Sequence, residues 1–162
     1  MKVSRKKTYS SFLLLVFGVF FLISCKEQSF YDYAYDFEDR TWDISDTAYF
    51  DFEVDDTLTQ YDMILTLRTS VNYPYSNLWV HILSTAPDDS RSKVAQRIPL
   101  AASDGSWLGR VTGTTVESKL RYTTTDFPLK GKYRIGVVHA IQDDQVDEVL
   151  DISLRIQEKK KK

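Results

Sequence analysis

From residue 30 onward, apolar and polar side chains alternate along the chain. Tyr31, Tyr33, Tyr35 and Phe37 fall on one side, with Asp32, Ala34, Asp36 and Glu38 on the other. Phe50, Phe52 and Val54 alternate with Tyr49, Asp51 and Glu53, and Tyr61, Met63, Leu65 and Leu67 with Asp62, Ile64, Thr66 and Arg68. The same period returns at Leu78, Val80 and Ile82, at Tyr133, Ile135, Val137 and His139, and at Leu150, Ile152, Leu154 and Ile156. A period of two marks strands with one buried face, and no stretch carries helical spacing. Asp55-Asp56, Asn72-Tyr73-Pro74, Ala86-Pro87-Asp88-Asp89, Asp104-Gly105, Pro128 with Gly131, and Asp143-Asp144 supply the turns between the runs. The pattern predicts an all-β fold, an antiparallel β-sandwich of about seven to nine strands over residues 30–157, with an up-and-down barrel as the alternative closure. Phe50, Phe52, Leu65, Leu67, Val80, Ile82, Ile135, Val137, Ile152 and Leu154 are its expected core. Trp107, between Gly105 and Gly109, is expected to be buried as well.

The first 24 residues break this pattern. A basic, polar start (Lys2, Arg5, Lys6, Lys7) leads into Phe12–Ile23, twelve residues without a charge. That run has the length of a signal-peptide apolar segment and falls short of the roughly 20 residues a bilayer-spanning helix needs. Leu22-Ile23-Ser24-Cys25 then resembles a bacterial lipobox, in which the cysteine thiolate takes a diacylglycerol and becomes the first residue after cleavage. Residues 1–24 therefore read as a lipoprotein signal peptide and residues 25–29 as a tether lipidated at Cys25. Each buried CH₂ contributes about 0.8 kcal/mol, so a doubly acylated Cys25 would hold the domain on a membrane. Lys26-Glu27 is similar to surface-export signals of some Bacteroidetes lipoproteins, but Gln28 interrupts the acidic run. The expected place is the cell envelope, and the choice of membrane and of periplasmic or surface side stays open.

Charge narrows the function classes. The chain has 162 residues, 21 Lys+Arg and 23 Asp+Glu. Four of those bases and no acid precede Cys25, leaving a body at −6, a poor match to nucleic acid. Residues 27–62 hold twelve acids and one base, Arg40. The run Glu158-Lys159-Lys160-Lys161-Lys162 reads as a solvated basic tail over 158–162. A single cysteine excludes an internal disulfide.

Catalytic and metal patterns are lacking in the sequence. His81 and His139 both fall inside expected strands, no nucleophile elbow is present, and no histidine pair or calcium loop has ligand spacing. No catalytic residue, metal or cofactor is expected. One segment, Asn72-Tyr73-Pro74-Tyr75-Ser76-Asn77-Leu78-Trp79, concentrates aromatics between two strands. Tyr73, Tyr75, Asn77 and Trp79 make a candidate ligand or partner surface, since flat aromatics with amide partners suit a glycan or peptide. The same residues also suit a β-connection whose rings close the end of the core.

Arg68 with Asn72–Trp79, then Asp104-Gly105-Ser106-Trp107-Leu108-Gly109, Gly131-Lys132-Tyr133-Arg134-Ile135 and Asp151-Ile152-Ser153-Leu154-Arg155-Ile156 follow in order behind the lipobox. Together these blocks resemble the gliding-motility lipoprotein GldH family of Bacteroidetes. The resemblance implies a membrane-anchored, non-catalytic accessory of the gliding machinery, which in that phylum is tied to type IX secretion, with other envelope and gliding proteins as partners. A lipoprotein binding a glycan or peptide through the aromatic segment is the second reading.

Overall fold

Two sheets and a short ribbon account for the regular structure of the described residues, 29–159, in a computed structural model. The leader 1–24, Cys25 with all but the last residue of the tether, and Lys160–Lys162 lie outside them. Eleven strands run in the order β1 (Ser29–Asp36), β2 (Thr41–Asp43), β3 (Ala48–Val54), β4 (Tyr61–Ser70), β5 (Asn77–Thr85), β6 (Arg91–Pro99), β7 (Arg110–Thr112), β8 (Thr115–Thr125), β9 (Gly131–His139), β10 (Gln145–Asp147) and β11 (Val149–Glu158). One sheet has the order β1-β11-β4-β8-β7 and the other β3-β9-β5-β6, every pairing being antiparallel. β2 and β10 form a two-stranded ribbon. The expected antiparallel sandwich is present, and its eight long strands fall within the expected number, with β2, β7 and β10 added as three-residue pieces.

Period-two patterning is realised most cleanly in β3, where Ala48, Phe50, Phe52 and Val54 are buried and the residues between them exposed. Their partners on β9 and β4, including Ile135, Val137, Leu65 and Leu67, close the core from the two sheets. Burying one such side chain contributes about 1.5–3 kcal/mol. At one end Phe52 stacks on Tyr133 with centroids 5.8 Å apart, and Phe127 packs edge-on at 5.3 Å. At the other end the ribbon closes the sandwich. Trp42, fully buried, stacks on Phe37 at 4.5 Å and donates its indole N–H to the Asp46 carbonyl at 2.7 Å.

Two expectations on burial, at Ile82 and Trp107, are corrected, and Tyr33 adds a third departure from simple alternation. Ile82 points inward but is only half-buried, beside its β6 partner Val94, which is itself 55% exposed. Tyr33 is on the inward side of edge strand β1, yet with Phe50 as its ring neighbour it stays 53% exposed. Trp107 packs against the core from a loop and is half-buried. β6 escapes the sequence pattern because Arg91–Ala95 are exposed on both faces, so no alternation exists there.

Candidate functional site

The four aromatic-segment residues do not share a surface. Tyr73 sits in the core at 4% exposure, where burial pushes its phenol well above the ordinary value and its hydroxyl has no hydrogen-bond partner. Tyr75 turns toward the ribbon end, donating its hydroxyl to Asp143 at 3.1 Å. Asn77 begins β5, half-buried, with its amide on Ser76. Trp79 alone reaches an open sheet face, 45% exposed.

Of the two outer sheet faces, that of the five-stranded sheet neutralises itself. Its concavity of about 500 Å³ has a floor of small side chains (Ala34, Ser153, Thr66) between rows of charge. Arg155 grips Asp32 at 2.7 Å, Arg68 grips Asp151 at 2.5 Å and Lys119 meets Glu117 at 2.7 Å. Glu117 is held below its usual range by that lysine.

The outer face of the four-stranded sheet is different. β5 presents Trp79, His81, Leu83 and Thr85; register sets Val138, Gly136 and Arg134 of β9 beside the last three. Tyr49 of β3 lies opposite Gly136. A methyl group on Gly136 would stand 3.0 Å from the Tyr49 ring and 3.2 Å from Thr47, so the missing side chain is what lets the ring lie across the strand. Arg134 fixes that ring from the far side: its guanidinium is 5.2 Å from the ring centroid and forks onto Asp51 at 2.6 and 2.9 Å. The result is a strip of Tyr49, Leu83, Val138 and Trp79 on a solvent face, with Tyr49 and Trp79 each nearly half exposed. Apolar side chains gathered on one open face, here with His81 among them, suit a contact surface.

Edge strand β6 supplies cations along that strip. Arg97 is opposite Trp79, Lys93 opposite Leu83 and Arg91 opposite Thr85. Among the described residues, none of the three forms an ion pair. Toward the turn end, Arg91, Lys132 and Arg134 border a shallow depression of about 940 Å³ with Asp51 and Glu53. Charged edge strands also deter strand-to-strand aggregation, but that role requires no aromatic strip beside them. The sequence pattern places Tyr49 outward but gives no sign that Trp79, Leu83 and the β6 cations share a face, because their adjacency depends on the β5–β6 and β5–β9 registers.

His81 and His139 occupy neighbouring strands, yet they point to opposite sides. Val80, not His81, is the register partner of His139, which is buried. Asp43, Asp143 and Asp144 lie near enough to His139 to act on its charge, but among the described residues no group of three His, Cys, Asp or Glu is placed to hold a metal ion.

A family model described as GldH lipoprotein matches residues 29–156. The gliding motility lipoprotein GldH of Flavobacterium johnsoniae is 26% identical over 153 residues, covering 90% of this chain and 95% of that protein. The gliding motility lipoprotein GldH homolog of Christiangramia forsetii is 24% identical over 156 residues, covering 91% and 94%. Among solved structures, Aeromonas hydrophila PliG, a periplasmic lysozyme inhibitor of g-type lysozyme, aligns at 14% identity and a TM-score of 0.36 over 83% of this chain and 90% of that one. A likeness at that score establishes neither fold nor function.

Proposed function

The chain belongs to the GldH lipoprotein family, and on that premise we propose that it is a lipid-anchored, non-catalytic docking subunit of the gliding-motility and type IX secretion apparatus in the cell envelope. Diacylglycerol on Cys25 holds it to the membrane, and the outer face of the four-stranded sheet engages an acidic protein segment of that apparatus. The observation that carries the reading is the in-register strip of Trp79, Leu83 and Tyr49 beside the ion-pair-free cations Arg91, Lys93 and Arg97. Apolar contact supplies affinity at the centre of an interface, and rim charge supplies steering and partner choice.

Site-specific photo-crosslinking in cells tests it. A crosslinker at position 79 or 93 should capture a gliding or secretion component, and Arg91→Glu with Arg97→Glu should abolish that product. Equal capture from position 119, on the outer face of the other sheet, would overturn the docking face. Absence of any gliding or secretion component from all positions would overturn the assignment to that apparatus.

A further inference from the structure

The tether between lipid and domain is short enough to orient the whole sandwich. Cys25 lies four residues before Ser29, where β1 begins, and four residues span at most about 14 Å when fully extended. Ser29 pairs with Gln157 of β11, Gln157 pairs with Asp62 of β4, and the Lys159 amide donates to the Gln60 carbonyl at 2.8 Å. Tyr61 pairs with Thr125 and Val54 with Gly131. The start of β1, the end of β11 and the loops 55–60 and 126–130 therefore gather at one end of the sandwich, opposite the β2–β10 ribbon.

We infer that this end lies against the lipid surface holding the acyl chains, with Leu58 and Leu129 as its apolar contacts and the strands rising away from the membrane. The inference rests on acylation of Cys25.

Leu58 is 91% exposed, the highest value among the large apolar residues left outside the core. Its presentation is built into the turn. The Asp56 carboxylate accepts the Leu58 amide at 2.9 Å and the Thr59 hydroxyl at 2.7 Å, so a rigid turn pushes the side chain outward. Leu129 is 37% exposed, and its own amide and carbonyl are both held by the Tyr133 hydroxyl, at 3.1 and 3.0 Å. Two leucines fixed outward on adjacent loops, within reach of an acyl anchor, have a lipid surface as their natural cover. The described residues at this end carry more acid (Asp55, Asp56, Asp88, Asp89, Asp126 and Glu158) than base (Lys130 and Lys159), so apolar contact and the acyl anchor, not charge, carry the attachment. At about 3.3 Å per residue, ten-residue strands carry the ribbon roughly 30 Å from the lipid, and the strip around Trp79 faces sideways for a neighbour in the same membrane.

The test uses the acylated full-length protein in phosphatidylethanolamine–phosphatidylglycerol vesicles with nitroxide-labelled lipid. Leu58→Cys, Leu129→Cys and Ile44→Cys each receive one fluorophore, because the native cysteine carries the acyl chains. Fluorescence at 58 and 129 should be quenched several-fold more than at 44, beside the ribbon. Equal quenching, or stronger quenching at 44, overturns the orientation. Mass spectrometry of residue 25 and vesicle flotation are read on the same samples. An unmodified Cys25 that does not float overturns the anchor and the inference together, whereas a modified, floating protein with unquenched 58 and 129 overturns the inference alone.

Discussion

Arg68 and Asp151, 83 residues apart, face each other across β4 and β11, and one oxygen of a carboxylate only 3% exposed takes both the Nε of Arg68 at 2.7 Å and an Nη at 2.5 Å. The pair lies where β11 carries a bulge, between Val149 and Asp151. Asp36 of β1 is the register partner of Asp151 on its other side, so Arg68, within electrostatic reach of both, offsets the repulsion between the two carboxylates.

Removing the arginine leaves that charge without compensation. Arg68→Met should cost about 3 kcal/mol in urea unfolding, the open side of Arg68 keeping the value at the low end. Arg68→Met with Asp151→Leu should recover most of the loss, since no unpaired charge remains. A double mutant as unstable as the single one would show that packing, not charge, accounts for the effect.

Burial of His139 should make stability depend on pH. It is 1% exposed, packs edge-on against Trp42 at 5.7 Å, and neither ring nitrogen has a hydrogen-bond partner. Burial lowers its pKa, while the Asp144 backbone, near but outside hydrogen-bond geometry, and the Asp43, Asp143 and Asp144 carboxylates partly oppose the shift. The unfolded chain therefore takes up this proton first as pH falls. The stabilisation is complete above the ordinary imidazole value of about 6.5 and is lost progressively below it. Stability measured from pH 7.5 down to 5.5 should fall in the wild type and stay flatter in His139→Phe. Parallel slopes would remove His139 as the cause.

Much of the frame is legible in the sequence because alternation is a local signal. Phe50, Phe52, Leu65, Leu67, Val80 and Leu154 declare their inward side by their neighbours alone, and the turn signals at Asp55-Asp56 and Ala86–Asp89 fall between strands. The ribbon is not legible: β2 and β10 are three residues each, too short for a period, and Trp42 is placed by tertiary contacts with Phe37 and His139. The contact face is partly hidden for the same reason. Composition draws attention to Tyr73, Tyr75 and Trp79 as one cluster, but the connection between β4 and β5 turns Tyr73 inward while β5 sends Trp79 outward, and register supplies Tyr49 and the cations from elsewhere.

Gly109 is a second position where a missing side chain permits close approach. A methyl group there would stand 2.6 Å from the Ser118 hydroxyl and closer still to the Glu117 carbonyl, which is backbone and has little freedom to move. Gly109→Ala should destabilise by about 1–3 kcal/mol as the loop carrying Trp107 is forced off β8. Trp fluorescence provides the readout, with a shift toward solvent-exposed emission before global unfolding. An unchanged melting curve would mean that the 101–109 loop relocates freely.

The opposite fates of Tyr73 and Trp79, six residues apart, separate framework from docking face. The Tyr73 hydroxyl is buried without a partner, so the folded state bears its desolvation with no hydrogen bond in return. Tyr73→Phe keeps the ring and deletes only that group, and should leave stability unchanged or raise it by up to about 1 kcal/mol. Trp79 projects from the outer face beside Arg97 and takes no part in the core. Trp79→Thr, a good strand former on a solvent face, should leave stability within about 0.5 kcal/mol while removing the partner crosslinked at position 93. If Trp79→Thr instead lowered the melting temperature strongly, the strip would be part of the fold's own packing, and an unaltered crosslink would place the docking face elsewhere. Paired measurement of both variants answers this directly: Tyr73→Phe alters the framework alone, so an intact crosslink in that variant assigns the effect of Trp79→Thr to the outer face.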